Sequence, residues 1–408
     1  MTDSVVNFPI VIIIIGALII SVIILKSLLG KLGIPSLVGF MLLGFLLRVT
    51  DANFGILSSS ASEILEFMAK IGVISLLFKI GLESNLMGLL GQLRKASIVW
   101  VGDVLISAAV GFSAAYYLLH LELIQSLFVA VALTATSVGI SVSVWDEAGA
   151  LKSEKGELLI DVAELDDISG IVLMAVLFSI APVLRESMNA PIVSDILRST
   201  GIILMKLLLF GGACVLFSLY VERNITEFGE KISESPGPML MTAGVGFIIA
   251  STAGLLGFSI AIGAFFAGLA FSRDPQSMKI DKSYKTLYEL FSPFFFIGIG
   301  LSIEPGVLTS AVGIGAALTM AAFAGKIIGD GLPSWAVIGG SGAILIGVSM
   351  VPRAEIAMII MHKGLTKGPW AVPSNVFAGM VLVSILTCII SPIITNILLK
   401  KSSSKWRN

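Results

Sequence analysis

Two adjacent aspartates, Asp166 and Asp167, stand in the middle of a long apolar stretch. Charged groups at membrane depth are costly, so an aspartate pair in such a stretch is a candidate functional site. Two neighbouring carboxylates in a medium of low dielectric cannot both stay ionised without a cation. The pair could therefore bind either protons or a metal cation, which predicts an ion-transport site.

Two further acids precede the pair on the same stretch. On a helix, Asp166 and Asp167 point about 100° apart, and Glu164 shares the side of Asp167. Asp161 lies about one turn further away. Either acid could instead line a wet cavity or lie near the lipid headgroups. We interpret Glu164 as auxiliary to the pair and leave the role of Asp161 open.

Lys326 is the natural counter-ion of the aspartates. It follows a run of small residues at 317–325, where helices can pack closely. A lysine inside the membrane keeps its charge only when it is paired with a carboxylate. The alternative is a lysine at a helix end that reaches the aqueous phase, because Asp330 and Gly331 soon follow.

Two apolar segments contain residues that disfavour helix. The first includes LTATSVG at 133–139, and the second includes GVSMVPRAE at 347–355. Proline removes a backbone donor and disfavours helix just before it. Unwound backbone at membrane depth is tolerated where it lines a cavity or packs within protein. The two breaks therefore predict parts of an ion site, although a packing kink would explain either one alone.

The composition is that of a polytopic membrane protein. Of 408 residues, 56% are hydrophobic and 13% are charged, with a mean hydropathy of +1.01, whereas a soluble domain has about 25% charged residues. A soluble enzyme is thereby excluded, and a net charge of −1 provides no basic surface for nucleic acid. The cysteines Cys214 and Cys388 and the histidines His120 and His362 are too few and too scattered for a disulfide framework or a zinc site. No cofactor is expected.

Thirteen segments are apolar enough to span a bilayer, which needs about 20 residues per helix. The Lys and Arg residues in alternate loops number sixteen on one side and six on the other, which predicts an outer N-terminus and a cytoplasmic C-terminus. The breaks fall in segments five and twelve, so they predict two inverted six-helix repeats joined by a seventh, linker helix. The predicted spans are 7–26, 33–50, 63–85, 95–119, 122–145, 156–183, 195–222, 235–254, 257–272, 284–303, 306–329, 334–362 and 370–399.

With these motifs the sequence resembles the cation/proton antiporter 2 family over nearly its whole length. Within that family it is similar to prokaryotic Na+/H+ antiporters that carry a paired aspartate. The similar stretches, in chain order, are KLGIPSLVG at 31–39, LFKIGLE at 77–83, ALTATS at 132–137, DDISG at 166–170, LGFSIAIGAFFAG at 256–268, PFFFIGIG at 293–300 and PRAE at 352–355. Their order and spacing are more specific than any one of them.

The resemblance implies roles for the site residues. Asp167 would be the principal ligand of Na+ and H+, with Asp166 beside it. Asp166 would pair with Lys326 when the site holds no cation. Thr134 would supply an oxygen near the ion, and Ser137 would be auxiliary.

The resemblance also implies an architecture and a way of working. Arg353 and Glu355 would compensate the ends of the half-helices where the broken segments cross. The protein would be a multi-pass homodimer in a prokaryotic cell membrane, in contact with lipid and without a soluble regulatory domain. Its core bundle would move against a scaffold in an elevator-like cycle. The ranges implied are about 7–85 and 235–303 for the scaffold, 195–222 for the linker, and 95–183 and 306–399 for the core.

Some residues depart from the family pattern. Ala354 replaces the usual glycine of the PRGE motif, Glu164 stands at a position that is more often apolar, and Lys79 is an additional charge. The roles of Lys79 and Asp103 are left open. The Asp-Asp pair and the absence of a nucleotide-binding domain favour sodium over potassium exchange, because potassium-efflux relatives often have Gln-Asp and such a domain.

The leading hypothesis is electrogenic exchange of Na+ or Li+ for H+, serving sodium export or pH homeostasis. The first alternative is a K+/H+ antiporter of the same family. An intramembrane aspartyl protease is disfavoured, because that chemistry needs its two aspartates on separate helices. A channel is also disfavoured, since broken helices with a titratable pair suit an occluded site better than a continuous pore.

Overall fold

The protein is all-helical in the residues that the computed structural model describes, which are 8–84, 86–186, 193–232, 236–272 and 277–402. Eight of the helices there are long and apolar enough to cross a membrane. The prediction of an all-helical membrane protein is confirmed, whereas the count of thirteen spans and the inverted-repeat layout are not. The α-helices are α1 Phe8–Lys31, α2 Ser36–Phe54, α3 Ser59–Glu83, α4 Leu86–Ser113, α5 Leu123–Ala132, α6 Val138–Glu147, α7 Glu154–Glu186, α8 Val193–Tyr220, α9 Glu222–Ile232, α10 Gly237–Leu255, α11 Ile260–Phe271, α12 Ser277–Leu301, α13 Leu308–Gly329, α14 Gly331–Ile338, α15 Gly340–Ser349, α16 Glu355–Lys367 and α17 Ser374–Ser402.

Several predicted boundaries are wrong. The predicted span 334–362 begins inside α14 and is not one continuous helix. The helix α14 ends at Gly339, whose φ of 83° is a backbone conformation that residues with a side chain rarely adopt. The stretch after 222, interpreted from sequence as a loop, contains the amphipathic helix α9. A search for long apolar runs overlooks a helix that is apolar on one face only.

The chain divides into two compact units. The first comprises Met1–Leu32, Gly39–Met87 and Leu197–Ser302, and the second comprises Gly33–Val38, Gly88–Ile196 and Ile303–Asn408. The scaffold, linker and core roles implied for the corresponding ranges stay predictions.

In the first unit, α3 packs against both α11 and α12, and α10 packs against α11. Gly81 of α3 and Gly268 of α11 let the two backbones touch, because a Cβ at either position would collide with main-chain atoms of the other helix. Beside this contact the Phe78 ring lies 6.2 Å from that of Phe271 and 5.0 Å from that of Tyr284, measured between centroids.

The second unit contains the candidate site residues. Its long helices α13 and α17 pack together, and α5 packs against α7 and α16. The helix α7 has Glu154 and Glu157 in its first turn and Arg185 in its last, which matches the helix dipole at both ends. A buried apolar cluster that includes Trp145, Leu159 and Ile346 is formed by side chains of α4, α6, α7, α15 and α17.

Candidate ion-binding site

The helix α7 carries both aspartates of the candidate site. The side chain of Asp166 is fully buried, and that of Asp167 is half-buried. Asp166 Oδ1 has no hydrogen-bond partner among the described residues. One carboxylate oxygen of the pair is therefore available to a ligand inside the protein.

Lys326 of α13 lies between two carboxylates. Its Nζ is 3.3 Å from Asp166 Oδ2 and makes a closer ion pair with Asp103 Oδ2 on α4. All three side chains are completely buried. The hydroxyl of Ser107 donates to Asp103 Oδ1 at 2.9 Å. Lys326 thus joins α4, α7 and α13 and does not reach the surface.

A third buried carboxylate, Asp330, lies one helical turn after Lys326. It is fully buried, and neither of its carboxylate oxygens has a hydrogen-bond partner among the described residues. It lies close enough to Asp103, Asp166 and Lys326 to interact with each of them electrostatically. The network around the lysine is therefore larger than one ion pair.

The two broken segments meet beside this network. The first break separates α5 from α6, and the second separates α15 from α16. The Ser137 N–H in the first break donates to the Pro352 carbonyl in the second at 2.8 Å, and the Thr136 hydroxyl donates to the Met350 carbonyl at 3.0 Å. A further hydrogen bond joins the helices on either side of the breaks: Trp145 Nε1 of α6 donates to Ser349 Oγ of α15 at 2.9 Å.

Arg353 lies within the second break, and Glu355 directly follows that break. Arg353 is fully buried, and its Nη1 donates to the carbonyls of Met350 at 3.0 Å and Pro352 at 3.3 Å. Its positive charge thus lies at the carbonyl end of α15. Glu355 is the first residue of α16, where a negative charge faces the positive end of the helix dipole.

Not every site residue implied by the resemblance contacts the aspartate pair in the structure. The Thr134 hydroxyl, in the first break, donates to the Val131 carbonyl of α5 at 2.8 Å, whereas Thr136 interacts with Asp166. Glu164 and Glu355 lie close enough to Asp167 to interact with it electrostatically. Asp161 is half-buried, and its Oδ2 has no hydrogen-bond partner among the described residues.

Two other intramembrane cations belong to the first unit. Lys79 pairs with Glu83 on the same helix and lies 5.3 Å over the Tyr288 ring. Lys206 Nζ donates to the Leu256 carbonyl at 3.3 Å. Both have local partners, which is how an intramembrane charge is normally stabilised.

Asp103 and Asp330 were not among the predicted site residues. A signal for Asp103 was present, because it is a single acid in the apolar run SIVWVGDVLISAAVG at 97–111. Asp330 was considered only as a sign that a helix ends there; it does lie directly after α13, and it is also buried. Which carboxylates meet the lysine depends on how the helices pack, and that packing is not readable from local sequence.

A buried lysine–carboxylate network beside two helix breaks that hydrogen-bond to each other suits ion transport, and the relatives of this chain are secondary transporters rather than enzymes. The chain belongs to the family described as "Sodium/hydrogen exchanger, transmembrane", whose model matches residues 16–401. The resemblance to cation/proton antiporters noted in the sequence is thereby confirmed.

The relatives carry antiporter names. The chain is 29% identical to the high-affinity Na+/H+ antiporter NhaS3 of Synechocystis over 82% of its own length and 71% of the relative. It is 28% identical to the Na+/H+-K+ antiporter GerN of Bacillus cereus over 89% of both chains. Its fold is similar to that of the Na+/H+ antiporter MjNhaP1 of Methanocaldococcus jannaschii, with a TM-score of 0.72, 16% identity, and coverage of 97% of this chain and 99% of the other.

Proposed function

We propose that this protein exchanges Na+ or Li+ for H+ at the Asp166–Asp167 pair. The observation that carries the proposal is the state of Asp166, which is buried beside the half-buried Asp167. One of its oxygens faces Lys326, and the other has no hydrogen-bond partner in the part of the chain that the structure describes. A carboxylate pair of this kind favours a single bound cation or bound protons, but not two bare charges.

Competition for the same oxygens couples the two fluxes. When a proton occupies Asp167, Asp166 stays ionised and keeps Lys326 as its partner. When Na+ enters, both carboxylates ligate it and the lysine withdraws from Asp166. Because the cation and the protons exclude each other, neither crosses without counter-movement of the other. High pH favours the cation-bound state and low pH the protonated state.

We propose an electrogenic cycle in which more than one proton leaves for each Na+ that binds. Besides the Asp166–Asp167 pair, the network contains Lys326 and the buried Asp103 and Asp330. It therefore has more groups that can release a proton than the single charge that Na+ brings. The unit containing α4–α7 and α13–α17 would move across the membrane in an elevator-like way, exposing the site to each side in turn.

Three further features belong to the same proposal. The thirteen-segment, inverted-repeat layout would relate the break at 133–137 to the break at 350–354. The basic loops support an outer N-terminus and a cytoplasmic C-terminus. A homodimer in a prokaryotic membrane, in contact with lipid, would provide the fixed frame that an elevator needs.

Potassium exchange is the second candidate. The name of the relative GerN includes both Na+ and K+. The Asp-Asp pair favours Na+, because two carboxylates replace the tightly held water of a small cation better than one does.

The direct test is cation-driven proton movement in proteoliposomes. We expect Na+ and Li+, but not K+, to dissipate a preformed proton gradient, with a rate that saturates in cation concentration. Liposomes without protein are the control. Activation by K+ alone would support the second candidate, and a flux that rises without saturation would indicate a channel.

Glu164→Gln should shift the pH optimum of exchange without abolishing it. The substitution keeps the shape of the side chain and removes a negative charge that faces Asp167. Asp167 would then bind protons less tightly, because a like charge nearby opposes ionisation. The measurement is the pH profile of Na+-driven flux. Complete loss of Na+ binding in calorimetry would instead make Glu164 a direct ligand.

A further inference from the structure

Lys326 has two carboxylate partners, and they differ in how firmly they are held. Asp103 makes the closer ion pair, while Asp166 Oδ2 lies 3.3 Å away. We propose that Asp103 is a fixed anchor for Lys326, which keeps the lysine in place when Asp166 exchanges it for the transported cation. This inference rests on the proposed function and assigns a positioning residue outside the aspartate pair.

The first support is the close contact of α4 with α13 at these two residues. A Cβ on Gly329 would lie 3.0 Å from Asp103 Cα, and a Cβ on Gly325 would lie 3.2 Å from Ser107 Cα. From the other side, a Cβ on Gly102 would lie 2.9 Å from the Gly329 carbonyl oxygen. Glycines thus bring the backbones together where the ion pair forms, so the distance from Asp103 to Lys326 is held by helix packing.

The second support is the hydrogen bonding of the two carboxylates. Asp103 has both oxygens engaged, one by the Ser107 hydroxyl and one by Lys326. Asp166 has only one oxygen engaged by Lys326, and its Oδ1 has no partner among the described residues. A carboxylate that is oriented on both sides stays where it is, whereas a half-engaged one can turn to a cation.

The third support is the cost of the alternative. All three charged groups are completely buried. If Asp166 left Lys326 for a cation and no second carboxylate were present, a buried amine would lose its partner, which is strongly unfavourable. Asp103 removes that cost. Arg353 and Asp330 also interact electrostatically with Asp103, and Glu164 and Glu355 interact with Asp167.

The anchor should therefore set the affinity for the cation. Without the Asp103 carboxylate, Lys326 would keep Asp166 as its ion-pair partner. The cation would then have to compete against a stronger ion pair between Lys326 and Asp166. Cation binding would therefore become weaker.

The experiment measures Na+ binding by calorimetry at fixed pH in purified, folded protein. For Asp103→Asn we expect an affinity at least about tenfold weaker, the scale of one hydrogen bond to a charged group. Ser107→Ala should shift it in the same direction by a smaller factor, and it remains informative if Asp103→Asn does not fold. Asp103→Glu should recover part of the loss. Glu154→Gln is the matched control, because it removes a carboxylate from the exposed 2.7 Å ion pair with Lys95 that also joins α4 and α7.

A double-mutant cycle separates anchoring from a general structural effect. In the Lys326→Gln background, Asp103→Asn should change the Na+ affinity by less than about threefold, because the residue it acts through is gone. Wild-type affinity in both Asp103→Asn and Ser107→Ala, or an equal loss with and without Lys326, would overturn the anchor. Failure of the wild-type protein to exchange Na+ for H+ would instead overturn the proposed function.

Discussion

Asp167→Asn should abolish Na+-driven proton exchange while leaving a folded protein. Asparagine keeps the size and one oxygen of the side chain but cannot bind or release a proton in exchange for a cation. Asp167 is the more accessible of the two aspartates, so the entering ion meets it without first displacing Lys326. Flux in proteoliposomes and size-exclusion behaviour in detergent are the two measurements.

Asp161→Asn is the matched control for this variant. It makes the same chemical change on the same helix, at another half-buried aspartate. We expect it to retain exchange. Wild-type flux in a purified, folded Asp167→Asn sample would show that this carboxylate is not the one for which Na+ and H+ compete.

Lys326→Gln should make exchange slow or inactive near neutral pH, and any remaining exchange should depend less on membrane voltage. The substitution removes the side chain that forms ion pairs with both Asp103 and Asp166. It also leaves two buried carboxylates without their counter-charge. Removing one partner of a buried pair typically costs about 3–5 kcal/mol, so the melting temperature should fall.

Lys79→Gln is the comparison for Lys326→Gln. It also removes an intramembrane lysine with a carboxylate partner, but one in the first unit. Its effect on voltage dependence should be small. If Lys326→Gln had an unchanged melting temperature and unchanged voltage dependence, the lysine would be neither a structural nor a coupling element of the site.

The sequence by itself was enough to predict the membrane class, the aspartate pair and the two interrupted helices. The sequence is informative because the apolar interior of a bilayer does not solvate charges or unpaired backbone groups. A charge such as Asp166, or a proline such as Pro352, is costly at membrane depth unless a particular structure surrounds it. Asp166, Lys326 and the two breaks could therefore be recognised without knowing which of them touch.

Only the tertiary structure decided which groups meet. Asp103 and Lys326 are 223 positions apart in the chain, and their contact depends on glycines that let α4 approach α13. The burial of Asp330 and the donation from Ser137 to Pro352 likewise depend on neighbours that are distant in sequence. The local sequence shows that a charge lies in an apolar segment, where burying it is costly. Helix packing determines which partner offsets that cost. For Lys326, the packing brings in Asp103, a carboxylate outside the aspartate pair.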